Sequence, residues 1–245
     1  MTDTTDYAGQ PFDRQKFESL LKRRFFYTEA FEIYRTVSGF EGDNRGLFDY
    51  GPPGCGLMAN IVDLWRKHFI LEQVTAVESV REYTPNVIEP SFGIGRILYS
   101  LLEQVYWCRP HDAARGILSL PLSVAPTKVL LVPLSSHPSF TPIIKKLSRK
   151  LRTLGISNRV DNSSASIGKR YARNDELGTP FGITVDFETV KDGSVTLRER
   201  DSTKQVRASE KEVFAAVKNL VEGVERWEDV VGRLPVFTTP QEGDE

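Results

Sequence analysis

Only two cysteines, Cys55 and Cys108, occur among the 245 residues, and they stand far apart. That spacing gives neither a disulfide framework nor a cysteine-based zinc motif. With no signal-like N-terminus, the expectation is two free thiols in a reducing compartment. The three histidines, His68, His111 and His137, are equally scattered, so no metal site is expected. No run of about 18 apolar residues exists, so no membrane-crossing helix and no membrane partner are expected. There is no internal repeat. An excess of one charge is missing too: the formal net charge is −1, and no global field draws the chain to nucleic acid. Residues 1–12 carry Asp3 and Asp6 but no arginine. That argues against a transit peptide and for a cytoplasmic location, with mitochondrial use left open.

What is present is enough apolar residue to build a core, 40% of the chain. The length suits one large or two moderate domains. Asp13 to Phe26 reads as a capped helix, with Phe17, Leu20 and Leu21 at helical spacing. Gly42 to Gly56 holds five glycines and two prolines and reads as a turn-rich loop. Leu57 to Leu71 is a helix, Thr75–Arg81 a short strand, and Ile97–Tyr106 a second helix. Residues 107–125, broken by Pro110, Gly116 and Pro121, read as a connector with one strand at Ile117–Leu120. From Lys128 the rhythm changes. The apolar run Val129–Val132 suits a strand buried on both faces. Helix Phe140–Leu154, strand Ile156–Val160, helix Ile167–Leu177 and strand Phe181–Phe187 follow. Val195–Arg200 and Gln205–Ala208 alternate as a hairpin, Ser209 caps a helix to Val221, and Trp227–Gly232 is a short one. Alternating strands and helices imply a mixed sheet, with a boundary near residue 125.

Three stretches carry chemistry. In Tyr83-Thr-Pro-Asn-Val-Ile-Glu-Pro-Ser-Phe-Gly-Ile-Gly-Arg96, a strand (Val87, Ile88, Glu89) ends at Pro90. A turn with Gly93 and Gly95 then leads into a helix at Arg96. A carboxylate there can pair with an ammonium, and a guanidinium can clamp a phosphate through two N–H groups. The rigid loop Gly51-Pro-Pro-Gly-Cys55 precedes Asn60-Ile-Val-Asp-Leu-Trp-Arg-Lys-His-Phe-Ile70, where Ile61, Trp65 and Phe69 form an apolar stripe suited to a partner. Between Lys145 and Arg173 nine basic residues face one acid, Asp161. Within it, Asp161-Asn-Ser-Ser-Ala-Ser-Ile-Gly-Lys-Arg-Tyr-Ala-Arg173 sets cations beside a polar loop, a pattern that suits RNA phosphates and unpaired bases. Lys145–Arg152 by itself reads as a solvated helix face, and Arg198, Arg200, Lys204 and Arg207 as a solvated hairpin.

Together these stretches resemble the eukaryotic-type glycyl-tRNA synthetases, class II aminoacyl-tRNA synthetases, in the family's own order. The first resembles motif 3, the second the loop and helix of motif 1, the third the anticodon-binding domain. Nothing resembles motif 2: Glu78-Ser-Val-Arg-Glu-Tyr-Thr84 passes almost at once into motif 3. Arg35-Thr36 replaces a glycine pair usual in the family, and Glu41-Gly-Asp-Asn-Arg45 looks inserted. The resemblance implies an α+β remnant of the class II antiparallel catalytic fold over residues 13–125, joined near 78–83. An α/β anticodon-binding domain with a mixed sheet follows over 126–237, between flexible tails 1–12 and 238–245. It implies that Glu89 and Ser91 meet the glycine amino group and that Arg96, as the catalytic residue, meets ATP alongside Glu89. It implies that Ser163, Ser164, Lys169, Arg170, Tyr171 and Arg173 meet tRNA. The family joins glycine to tRNA(Gly) through glycyl-adenylate, with ATP and Mg, as a homodimer. A shortened chain without motif 2 is expected to bind tRNA and to be weak or inactive in catalysis alone. A non-catalytic accessory module on the same scaffold is the alternative that the sequence leaves standing.

Overall fold

The computed structural model describes residues 5–29, 48–71, 93–110 and 112–238. The expected strands at 75–81 and 87–89, the junction at 78–83, Arg35-Thr36, Glu41–Arg45, and the residues Glu89 and Ser91 lie outside these. So does the end of the chain from 239. Helix α1 (Arg14–Arg23) starts at Asp13, whose carboxylate accepts from the Lys16 amide at 3.1 Å. Its Phe17, Leu20 and Leu21 are buried. Strands β1 (Thr28–Glu29) and β2 (Phe48–Asp49) pair antiparallel. Helix α2 (Pro52–Arg66) begins earlier than its apolar pattern because Pro52 and Pro53, with φ already helical, occupy its first turn. A wider turn, Lys67–Leu71, extends it. Helix α3 (Ile94–Val105) follows Gly93.

The stretch expected as a connector is a hairpin instead. Strand β3 (Tyr106–Arg109) pairs antiparallel with β4 (Asp112–Leu118). Tyr106 and Trp107 lead into Cys108 and Arg109, and the glycine that suggested a break, Gly116, pairs with Cys108 inside the ladder. A Cβ on Gly116 would sit 2.5 Å from both Leu20 and Tyr106. The glycine thus marks close packing and not a turn. Phe17, Leu20, Phe26, Leu57, Ile61, Leu98, Leu102, Tyr106 and Leu118 form one core. Ile61, expected on an exposed stripe, is buried in it, while Leu64 and Phe69 stay exposed. Residues 5–12, expected as a mobile tail, are held in place. The Tyr7 amide donates to the Tyr106 carbonyl at 3.2 Å, and the Phe12 ring packs on Phe17 and Tyr106.

The second unit is a five-stranded mixed sheet, order β6-β5-β7-β8-β9. Strand β5 (Val129–Pro133) runs parallel to β6 (Asn158–Val160) and β7 (Phe181–Val185). Strands β8 (Ser194–Glu199) and β9 (Gln205–Ser209) add antiparallel. One face is apolar: Val129, Leu131, Ile183, Val185, Val195, Leu197 and Val206 pack with α4 (Phe140–Thr153), α7 (Glu210–Val221) and α8 (Trp227–Arg233). Helix α5 (Ile167–Asp175) returns from β6 to β7. A short helix α6 (Phe187–Asp192), capped by Asp186, ends the residues expected as strand. Beyond β9, Pro235 accepts from the Arg207 amide and the Phe237 amide donates to Gln205, so residues 235–237 lie along that edge.

Candidate nucleic-acid interface

Because side chains alternate along a strand, the residues between the apolar ones point to the other face. There the sheet presents Thr184 from β7, Thr196 and Arg198 from β8, and Gln205 from β9. With Ile167, Gly168, Tyr171, Ala172 and Asp175 of α5, and with Arg109, Arg115, Leu134 and Phe237, they line a groove of about 530 Å³. Its floor is held by a fixed cassette. The Tyr171 ring lies against β7 at Gly182, where an added Cβ would stand 2.3 Å from Cε1. The Tyr171 hydroxyl is 2.7 Å from Thr184 Oγ1, and burial pushes its pKa up. The Arg198 guanidinium covers the ring 4.6 Å from its centre. Both its terminal nitrogens donate to Asp175, each at 3.1 Å, in a bidentate pair. Arg109 Nη2 donates to the same carboxylate at 3.1 Å.

At the groove's β9 end, Arg207 donates twice to Asp186, at 2.6 and 3.0 Å. Burial alone would raise the Asp186 pKa. The bonds from Arg207 and from the Thr189 amide and hydroxyl outweigh it and hold the carboxyl below its ordinary value. The Thr184 and Thr196 side chains are themselves buried, the first bonded to Tyr171 and the second accepting from Arg207 Nη1 at 3.3 Å, so the groove presents the Gln205 amide and arginine edges, bounded by α5. Such a surface can hydrogen-bond the edges of unpaired bases.

The sequence-expected RNA residues do not act as one cluster. Successive helix positions turn by about 100°, so Lys169, Arg170 and Tyr171 face different ways, and Lys169 shares a side only with Arg173, one turn on. Lys169 and Ser164 are exposed. Arg170 is buried: its guanidinium donates to the carbonyls of Pro133 (2.7 Å), Leu134 (3.2 Å) and Asp161 (3.2 Å). It ties α5 to the ends of β5 and β6 and has no surface to offer RNA, which corrects its expected role. Tyr171 is likewise floor, clamped between Gly182 and Arg198, and not a free stacking ring. Arg173 pairs with Asp161 at 2.9 Å and donates to Ser163 Oγ at 2.8 Å, and the Ser163 hydroxyl donates to Asp161 at 2.7 Å. The residues missed, Thr196, Arg198 and Gln205, had a readable signal. Thr196, Arg198 and Arg200 alternate with Val195 and Leu197, as in a strand with one buried face. Arg198 and Arg200 are 11% and 4% exposed, so the hairpin is no solvated one.

In the other unit, the structure brings two of the sequence motifs together. The Tyr50 hydroxyl would stand 3.0 Å from a Cβ on Gly95, next to Arg96 in the first turn of α3. Arg96 is exposed and makes no ion pair among the described residues. Among those residues, no three His, Cys, Asp or Glu gather to hold a metal ion, and no helix is long and apolar enough to cross a membrane. Both cysteines are free thiols.

Residues 128–220, which span the whole five-stranded sheet and α7 almost to its end, match the family described as Anticodon binding domain. The class this defines is the anticodon-binding unit of an aminoacyl-tRNA synthetase. The particular family follows from longer matches. The chain is 60% identical over 172 residues to a putative glycine–tRNA ligase of Schizosaccharomyces pombe, covering 70% of this chain and 26% of that protein. It is 55% identical over 183 residues to the mitochondrial glycine–tRNA ligase 1 of Saccharomyces cerevisiae, with 75% and 26% covered. It is 47% identical over 176 residues to the glycine–tRNA ligase of Drosophila melanogaster, with 71% and 23% covered. The chain is thus a partial homologue within the glycine–tRNA ligase family, and it spans about a quarter of the length of these curated relatives. A solved prolyl-tRNA synthetase of Cryptosporidium parvum, complexed with L-proline and AMP, is 20% identical. Its TM-score is 0.41 over 44% of this chain and 23% of its own, and it carries no argument about the site.

Proposed function

We propose that this chain binds tRNA, tRNA(Gly) by family, and that unpaired bases are read in the groove over the polar face of the sheet. One observation carries the reading. The groove's residues from Leu134 to Gln205 all fall inside the stretch that matches the anticodon binding domain. Gln205 and Arg115 supply donors and an acceptor for base edges, above a buried floor of Thr184 and Thr196. Lys169 and Ser164 rim the α5 side and meet the phosphate backbone, with Ser163 and Arg173 shaping the loop beside them. In this reading residues 126–237 are the RNA-binding domain and 13–125 a remnant of the class II catalytic fold. The protein works in the cytoplasm and forms a homodimer.

ATP and Mg are the family's cosubstrate and metal. When bound they supply the leaving group and the charge neutralisation for activating glycine. The described residues do not fit them. Arg96 is a single exposed cation at a helix start, and phosphoryl chemistry needs several charges acting as a unit. Glu89, Ser91 and Arg96 are therefore proposed as inherited glycine- and ATP-facing positions, with no activation step assigned to this chain.

The test is titration of the purified chain with a tRNA(Gly) transcript, followed by fluorescence anisotropy across a salt series. Affinity falls steeply as salt rises. Gln205→Ala and Arg115→Gln each weaken binding about fivefold, the worth of one lost hydrogen bond of about 1 kcal/mol. A flat salt response, or variants that bind as the parent does, refutes the groove as the reading surface. Glycine-dependent pyrophosphate exchange by the chain alone stays at background.

A further inference from the structure

A second cavity lies where the two units meet, away from the sheet groove. It has a volume of about 390 Å³ and is lined by Arg23, Arg24, Arg159 and Arg173, with walls of Phe25, Pro52, Pro53 and Pro126. The four guanidiniums come from three elements: the end of α1 with its cap residue Arg24, β6 and α5. Two carboxylates answer them. Glu176, with 6% of its side chain exposed, accepts from Arg23 Nη2 at 2.7 Å and from Arg24. Asp161, with 7% exposed, pairs with Arg173 at 2.9 Å. Four positive charges against two negative leave a net of +2 in a small cavity. The Arg159 side chain is exposed and has no hydrogen bond or ion pair among the described residues. The Arg173 Nε–H is buried with no hydrogen-bond partner. A buried N–H left unpaired is costly, and its natural complement is an acceptor that comes from outside.

We propose that this seam is a phosphate-binding site. A phosphate dianion matches the surplus of two charges. Planar arginine forks recognise phosphate oxygens in pairs, which ammonium groups cannot do. The proline walls are rigid, and Arg159 can close on a tetrahedral anion set against the three arginines already held by Glu176 and Asp161. The group bound is either a free phosphate or phosphate monoester, or a phosphate of an RNA backbone. The shared chemistry is the phosphoryl oxygens. The proposal stands apart from the sheet groove, since no lining residue is common to the two cavities.

The test uses the whole chain and inorganic phosphate as probe. Thermal unfolding is followed in phosphate and in chloride at matched ionic strength. The parent gains a saturable rise in Tm with phosphate alone, as ligand linkage requires. Arg159→Gln removes a side-chain cation that makes no bond among the described residues, so the fold is kept and the phosphate response is lost. Lys218→Ala, a cation remote from the seam, keeps the response. A parallel titration with the tRNA transcript separates the sources. If the phosphate belongs to RNA, Arg159→Gln lowers the salt slope by about 0.7–0.9 and phosphate competes with the transcript. If it belongs to a free ester, RNA affinity is unchanged by the variant. A phosphate effect equal to that of chloride, or an undiminished response in Arg159→Gln, overturns the proposal. Either result leaves RNA binding on the sheet face standing.

Discussion

At the scale of single residues, Gly182 decides whether the groove has a floor. Its missing Cβ is the space in which Tyr171 lies, and Tyr171 in turn seats Arg198. Gly182→Ala places a methyl 2.3 Å from the ring carbon Cε1, with Cζ and the hydroxyl oxygen at 3.1 Å. The ring must lift, breaking its contact with Thr184 and tilting Arg198 from Asp175. Overpacking of this kind costs about 1–3 kcal/mol. Urea unfolding of Gly182→Ala is expected to show that loss, and RNA affinity falls beyond what either groove variant shows. An alanine variant as stable as the parent contradicts the packing. Asp161 does comparable work for the loop after β6. Burial would raise its pKa. The Ser163 hydroxyl and amide, with Arg173, outweigh burial and hold it below the ordinary 3.8. Between the folded and ordinary values the unfolded chain binds more protons, so the stabilisation is complete above about pH 4 and lost as pH falls further. Asp161→Asn is therefore less stable than the parent at pH 7, and the gap narrows toward pH 3. A gap independent of pH contradicts the ion pairing.

At the scale of elements, helix α5 shows why some of the site was legible and some was not. The mixed sheet, its order of strands and helices, and the helix itself were readable, because apolar periodicity of 2 or 3.6 is a local signal. Asp13 and Ser209 announce their helices because a cap acts on amides two or three residues away. Charge clustering carries no such geometry. Lys169 to Arg173 looks like one basic patch in sequence, yet one residue faces solvent, one is buried under β5, one lies on the sheet and one braces Asp161. Which carbonyls a buried arginine meets depends on residues distant in sequence, here Pro133 and Leu134, and no local pattern encodes that. The β3–β4 hairpin was hidden for a related reason. A glycine chosen for close packing against Leu20 and Tyr106 has the same letter as one chosen for a turn.

At the scale of the whole molecule, two cores are fastened through the C-terminal end of one helix. Asp175 takes Arg109 from the hairpin and Arg198 from the sheet, and the next residue, Glu176, takes Arg23 and Arg24 from the end of α1. Removing the charge at Glu176 leaves two guanidiniums at the seam without their anion. Breaking a buried pair by one partner costs about 3–5 kcal/mol, and the half-exposed Arg23 puts this case at the low end. Glu176→Gln should then lower Tm by about 6–12 °C for a chain of this size. The loss should be non-additive with Arg24→Gln, since both remove the same contact. Phosphate gives the deeper check. In Glu176→Gln the seam carries one more uncompensated charge, so phosphate should restore more of the lost Tm in this variant than it adds to the parent. If added phosphate stabilises both proteins equally, the arginines at the seam and the anion site are not one system.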